Sequence, residues 1–370
     1  MLPVLCVNGP NLNRLGSRQP EIYGKATLAD LEAQVVHWGE ELGFEVTFVQ
    51  SNREGDLVEA IHSAHGWAGV VINPAALGHY SFALRDAITS VDVPVVEVHL
   101  SNVRQRARWR HRTVITSVAS ANIFGRGIEG YRAALRHLAV DRRHPAQTHR
   151  YGSHPDQVID VRGDAGAPGV VLFHGGFWMD TWGRDTTESW AADLADHGIR
   201  SANVEYRRLD SGGGRRSSIT DAVRGLDAAI RLLATDRVVV IGHSAGVHLA
   251  LHALDQRADG ISLVVGVGGV LDLVAAVDTG LGNGAVAAFD PDGRTTPLDL
   301  PPPSVPVRLV HGEGDTVVPV AQSRTYAEHF SAADVEVAVI EGEGHFQALS
   351  ARSRTWEAAR SLVLEGLGLP

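Results

Sequence analysis

The apolar positions of this chain fall into two successive series of short runs, and their spacing predicts alternating strands and helices. In the first series Val4 to Val7, Val70 to Asn73 and Val93 to Val98 are near-continuous apolar stretches of strand length, and Glu45 to Gln50 alternates polar with apolar. Between them Leu28, Leu31, Val35 and Leu42 keep a helical stripe behind a capping-box-like start at Thr27 and Asp30. Leu57 and Ile61 mark a second helix, and Ser81 to Ile88 and Gly127 to Leu138 supply two more. Strands that read as apolar throughout are covered on both faces, so this βα series predicts a parallel sheet between helices.

A break follows. Residues 142–157 carry charge, histidine and proline with no apolar period, which predicts a linker or surface-hugging connection. His144, His149 and His154 lack the spacing of a metal site. From residue 158 a second α/β series begins, with strands at Gly169 to Phe173, Ala202 to Val204, Val238 to Ile241, Leu263 to Val267, Val307 to Val310 and Val335 to Ile340. Helical patterns over Ser218 to Ala234, His248 to Asp255 and Arg352 to Leu367 intervene. The expectation is a flavodoxin-like domain over residues 1–141, a linker over 142–157 and a second α/β domain over 158–370.

Composition narrows the function. At 370 residues the chain has room for two cores, and 44% hydrophobic content fits a globular protein. A net charge of -10 argues against nucleic acid or an acidic membrane as partner, since both call for basic surfaces. No apolar run is long enough to span a bilayer or to serve as a signal peptide, so a cytoplasmic enzyme is expected. Cys6 is the only cysteine, which leaves no disulfide framework or thiolate metal site, and its strand position predicts a buried thiol. Lys25 is the only lysine, which disfavours Schiff-base chemistry.

Candidate chemistry gathers first at the ends of the early strands. Residues 8–24 are polar and punctuated by Gly and Pro, predicting a long loop at the carboxyl end of the first strand. The loop carries Arg18 and Tyr23. A phenol with a pKa of about 10 is a poor base, but a nearby guanidinium that lowers it by roughly 2–3 units, about 3–4 kcal/mol, makes it a usable one. Asn73, His79, His99 and Ser101 lie just past the ends of two further strands, and Glu97 shares a strand face with His99.

These three loops together closely resemble the type II 3-dehydroquinate dehydratases, over roughly residues 1–140. The resemblance implies a cofactor-free, metal-free conversion of 3-dehydroquinate to 3-dehydroshikimate. In it Tyr23, activated by Arg18, removes a proton, Asn73 and Asn11 stabilise the enolate with a water, and His99 protonates the departing hydroxyl. It further implies that the Leu100–Ser101 backbone binds the substrate carboxylate, that His79 and Arg110 hold ring hydroxyls, and that Asp86 reaches a neighbouring subunit's site. Relatives assemble as trimers gathered into dodecamers, so a homo-oligomer is expected. Arg106 matches another frequent arginine of the family, while Ala107 and Arg108 stand where an acidic pair often follows. Arg104, Arg108 and Arg112 read as a solvated basic face.

The second series carries a different constellation. Val238 to Gly246 is a strand running into Gly242-His-Ser244-Ala-Gly246 ahead of a helical pattern, the context of a nucleophile elbow. His174-Gly-Gly-Phe-Trp178 ends an earlier strand and offers backbone N–H groups to an oxyanion. Asp315 and His345 follow later strands, so the order Ser244, Asp315, His345 is that of the α/β-hydrolases. The resemblance covers about residues 153–370, and Glu205-Tyr-Arg-Arg208 with the Gly-Gly turn looks most like the arylformamidase and carboxylesterase branch. It implies a serine-triad hydrolase of an ester or amide, with Gly176, Phe177 and Ala245 as oxyanion donors. The competing reading makes the first domain an oligomerisation scaffold for the hydrolase.

Overall fold

The computed structural model describes residues 1–103 and 106–370, so Arg104 falls outside the described residues. The chain divides into two compact units, Met1–Arg143 and His144–Pro370. In the first unit, strands β1 (Leu2–Asn8), β2 (Phe44–Gln50), β3 (Gly69–Asn73), β4 (Val95–His99) and β5 (Ala121–Phe124) form one sheet in the order β2-β1-β3-β4-β5. Every pairing is parallel. The helices are α1 (Pro20–Tyr23), α2 (Leu28–Glu41), α3 (Glu54–Ser63), α4 (Phe82–Ser90) and α5 (Glu129–Arg143).

Burial follows the strand period. Val4 and Cys6 of β1 face a core with Leu31 and Val35 of α2 and Leu135 of α5, whereas Leu5 and Val7 face Leu57, Ile61, Leu84 and Ile88 of α3 and α4. Helices on both faces explain the unbroken apolar run of β1. Burial pushes the Cys6 thiol up to about 12 against a small opposing hydrogen bond from Asn8. Thr27 and Asp30 form a complete capping box at α2. The strand order reverses between β1 and β3, and the loops after β1, β3 and β4 meet at that crevice.

The second unit holds an eight-stranded sheet in the order β13-β12-β11-β10-β8-β9-β7-β6. Its strands are β6 (Gln147–Arg150), β7 (Val158–Arg162), β8 (Gly169–Phe173), β9 (Arg200–Val204), β10 (Val238–His243), β11 (Ile261–Val267), β12 (Val307–Gly312) and β13 (Val335–Ile340). Strand β7 runs antiparallel to both β6 and β9, and the remaining pairings are parallel. Helices α6 (Glu188–Asp196), α7 (Arg215–Leu233), α8 (Ala245–Gln256), α9 (Leu273–Asp278), α10 (Ala285–Phe289), α11 (Ala321–His329) and α12 (Arg354–Leu367) complete it. Val238 and Val240 face one core and Val239 and Ile241 the other.

Two local expectations change. Residues 142–157 contain regular structure: residues 142 and 143 close α5, and Gln147–Arg150 is an edge strand paired with β7. The polar residues of β6 leave no hydrophobic trace because the strand is held through backbone pairing. The loop of residues 8–24 contains a 3-10 turn, Leu12–Arg14, and the single helical turn α1 ending at Tyr23. Proline is tolerated at the first position of such a turn, where its missing N–H has no helical partner. No helix of the described residues is long and apolar enough to cross a membrane.

Candidate active sites

In the first unit a cleft of about 620 Å³ opens at the carboxyl ends of β1, β3 and β4. Asn11, Arg18, Tyr23, Asn73, His99, Leu100, Ser101 and Arg110 line it together. Asn8 and Asn73 sit opposite each other at the ends of β1 and β3. Buried Tyr131 of α5 ties them: its hydroxyl donates to Asn8 Oδ1 at 2.6 Å and accepts from Asn73 Nδ2 at 2.9 Å. Asn73 Oδ1 accepts the Ala75 N–H at 3.2 Å, which fixes the amide's orientation. Asn11 takes a left-handed backbone at φ 68° and its N–H donates to Asn52 Oδ1.

Tyr23 meets the cations of Arg18 and Arg106. The Arg18 guanidinium lies 5.8 Å and that of Arg106 5.5 Å from its ring centre. Arg106 Nη1 also donates to the Tyr23 hydroxyl at 3.4 Å and to Ser101 Oγ at 3.2 Å. Arg110 stacks on the Trp109 ring at 4.1 Å. Partial burial lowers its pKa, with Tyr23 opposing and the nearby charges of Arg106 and Arg18 adding to the effect.

On the other side His99 Nε2 hydrogen-bonds Glu97 Oε1 at 3.0 Å. Glu97 is fully buried, and its second oxygen accepts from Thr113 at 3.2 Å and Thr116 at 2.7 Å. That hydrogen bonding satisfies a carboxylate with no access to water. His79 stacks on His99 at 5.8 Å, and its Nδ1 meets the Arg112 carbonyl at 3.0 Å. Burial, with the charges of His99 and Arg110, lowers the His79 pKa despite that bond. Asp86 is not brought to this cleft; it lies exposed on α4.

The second unit's cleft, about 350 Å³, lies at the ends of β8 and β10 and is lined by Gly176, Phe177, Trp182, Ser244, Val317, His345, Phe346 and Leu349 among others. Ser244 sits between β10 and α8 at φ 52° and ψ -120°, a left-handed conformation a serine adopts only under constraint. The flanking glycines supply that constraint by letting backbones close. A Cβ on Gly246 would stand 2.2 Å from the Phe173 carbonyl oxygen, and one on Gly242 2.6 Å from Val247 Cα. Ser244 Oγ is buried without a hydrogen-bond partner.

His345 Nδ1 bonds Asp315 Oδ2 at 2.7 Å, and Asp315 Oδ1 accepts the Val317 and Val318 N–H groups at 2.8 Å each. Burial pushes Asp315 up, but hydrogen bonds from His311, His345 and Val318 outweigh it and hold the carboxyl well below its usual range. Gly176, Phe177 and Trp178 all have positive φ, so the turn after β8 is tightly wound. It is anchored from behind by His174, whose Nε2 meets Glu205 Oε1 at 2.8 Å while its carbonyl accepts the Tyr206 hydroxyl at 2.8 Å. Glu205 is buried, which raises its pKa, yet Arg208, His174 and Arg184 more than reverse that. Ala245 opens α8, so its N–H belongs to an uncapped helix start beside Ser244.

Sequence reasoning missed Tyr131 and His311 and gave Arg106 no contact with Tyr23. A tyrosine on an apolar helix face and a histidine inside a strand look like core, and only the fold shows what they touch. Among the described residues no group of three or more His, Cys, Asp or Glu is placed to hold a metal ion.

The family model described as Dehydroquinase class II matches residues 2–139, and that described as Serine hydrolase matches residues 178–365. A 3-dehydroquinate dehydratase of Bacillus subtilis (strain 168) is 53% identical over 135 residues, 36% of this chain and 91% of that protein. One of Deinococcus radiodurans is 54% identical over 138 residues, 37% of this chain and 96% of that protein. Among solved structures, Thermogutta terrifontis esterase 2 phosphonylated by sarin aligns with 60% of this chain and 94% of its own at TM-score 0.51 and 17% identity, a likeness of fold alone. The chain belongs to the type II dehydroquinase family through its first unit and to the serine hydrolase family through its second.

Proposed function

We propose that this chain is bifunctional, a 3-dehydroquinate dehydratase joined to a serine hydrolase of uncharged apolar esters. In the first cleft Tyr23, beside the Arg18 and Arg106 guanidiniums, takes a proton from C2 of 3-dehydroquinate. Asn73, held by Tyr131, and Asn11 donate to the enolate oxygen, through a water in the latter case. His99, backed by Glu97, protonates the C1 hydroxyl, which leaves as water to give 3-dehydroshikimate. The substrate carboxylate sits at the Leu100–Ser101 backbone, and His79 and Arg110 hold ring hydroxyls. One observation carries this reading: Tyr23 is flanked by the Arg18 and Arg106 guanidiniums in the cleft that His99 lines, with buried Glu97 behind it. The test follows the ultraviolet absorbance of the conjugated enoate product. Tyr23→Phe abolishes that signal while hydrolysis persists. A flat trace from the folded, unmodified chain refutes the reading and leaves the first unit a scaffold.

In the second cleft Ser244 attacks the ester carbonyl, His345 takes its proton and Asp315 orients the imidazole. The N–H groups of Gly176, Phe177 and Ala245 receive the oxyanion. The supporting observation is the unpartnered Ser244 Oγ in the cleft that His345 shares, with His345 already bonded to Asp315. Phe177, Trp182, Val317, Phe346 and Leu349 make the walls apolar, and among the described residues no Arg or Lys lines them. The hydrolase therefore prefers an uncharged acyl or aryl group. With 4-nitrophenyl acetate the chain turns over and Ser244→Ala does not, whereas a 4-nitrophenyl hemisuccinate reacts at least about tenfold more slowly, the factor that 1.4 kcal/mol of unpaired charge imposes. Equal rates on both esters overturn the preference; no rate on either overturns the hydrolase.

A further inference from the structure

His311, at the end of β12, is fully buried four residues before Asp315. Its Nε2 lies 2.9 Å from the Val318 carbonyl oxygen and 3.3 Å from Asp315 Oδ2. Its Nδ1 lies 2.8 Å from Ser323 Oγ in α11. A carbonyl only accepts, so Nε2 carries the hydrogen and Nδ1 accepts from the Ser323 hydroxyl. The tautomer is therefore set by the fold, and the protonated Nε2 also stands 3.3 Å from Asp315 Oδ2. That oxygen is the one His345 Nδ1 contacts.

We propose that His311 is a positioning residue of the hydrolytic site, sharing Asp315 Oδ2 with His345 through the Nε2–H that Val318 also accepts. This rests on Ser244, Asp315 and His345 acting as the hydrolytic triad. Two effects follow. The carboxylate receives donors from Val317, Val318, His345 and His311, so its plane cannot turn away from the imidazole. The extra donor also draws on the Asp315 charge that bears on the His345 imidazole. The other titratable groups against the pair come from neighbouring strands. The ring of His243, at the end of β10, stands 4.7 Å from that of His345, and burial, with His345 adding to it, lowers its pKa; His174, after β8, also bears on His243. In the His345 loop itself, Glu343 is paired with Arg354.

The test compares His311→Gln, whose amide nitrogen can reach the Nε2 position, with His311→Asn, whose shorter side chain still pairs with Ser323 but stops short of Asp315. The assay is the pH dependence of kcat/KM for 4-nitrophenyl acetate on the full chain, with fluorophosphonate labelling of Ser244 as the check that the site is assembled. In His311→Asn the acid limb moves up by about half to one pH unit, and in His311→Gln it stays within about 0.2 of the parent. Equal loss of rate in both variants with an unmoved limb reduces His311 to a structural role and overturns the proposal, as does no change in either. Nitrogen NMR of the labelled, unmodified chain decides independently of any variant. The Nε2–H tautomer of His311 is expected, and the Nδ1–H tautomer removes the donor to Asp315 and refutes the proposal. Absence of both ester turnover and Ser244 labelling in the parent refutes the triad instead.

Discussion

Replacing Tyr131 by Phe takes one oxygen atom from the floor of the first cleft and leaves the ring's packing intact. The hydroxyl is fully buried, donates to Asn8 Oδ1 at 2.6 Å and accepts from Asn73 Nδ2 at 2.9 Å. Its removal leaves Asn8 Oδ1 and one Asn73 N–H without that partner where water has little access. Each unmet buried polar group costs about 1–3 kcal/mol, so the first unit should lose about 2–4 kcal/mol, part of it recovered by relaxation. The Asn73 amide, no longer braced, also has freedom to turn, and an oxyanion donor out of place costs roughly tenfold or more in kcat. Burial holds the Tyr131 phenol well above its ordinary pKa, so it stays neutral and the change introduces no new titration. Urea unfolding followed by far-ultraviolet circular dichroism reads the stability of the first unit, and the enoate absorbance reads turnover. A stability change below about 0.5 kcal/mol with kcat unaltered would refute the view that Tyr131 braces the site.

Three more outcomes follow from the geometry. Gly246→Ala puts a Cβ against the Phe173 carbonyl, so esterase activity is lost and Ser244 no longer reacts with a fluorophosphonate, while dehydration continues. Glu97→Gln sets an amide N–H against His99 or the hydroxyls of Thr113 and Thr116, all of which need an acceptor or its orientation, so dehydration kcat falls by about a hundredfold. Burial is the main cause that lowers the pKa values of His243, His248 and His252, so below about pH 6.5 the unfolded chain binds more protons than the folded one. Stability of the second unit is therefore fully present above that pH and falls as pH drops toward 5, each histidine adding a slope of up to about 1.4 kcal/mol per pH unit; a flat urea midpoint across this window would contradict it.

Much of this was legible in the sequence where a local rule governs the outcome. Thr27 and Asp30 announce α2 because capping is a contact within one turn. The apolar run Val4 to Val7 announces a strand covered on both faces. The elbow around Ser244 is legible because close backbone approach there admits only glycine on either side. Strand β6 was invisible since Gln147 to Arg150 is held at a sheet edge by backbone pairing with no apolar period. Strand β5 is four residues at the edge of the first sheet, too short to carry a period. The partnership of Tyr131 with Asn8 and Asn73 spans 123 and 58 positions, beyond any pattern a window detects. Arg106 stood in a run of arginines alike in charge, and only the loop's path shows that it reaches Tyr23.

The thiol sealed under β1 has a practical consequence. Cys6 is the only cysteine in the chain, has no solvent exposure, and is pushed up to about 12. At neutral pH its thiolate fraction is on the order of one in 100,000, and the reagent cannot reach even that. The native chain is thus silent toward maleimides and iodoacetamides. A single cysteine placed anywhere on either unit becomes a unique chemical address, with no background mutation required, so fluorophores or spin labels can report on each of the two catalysts within one intact polypeptide.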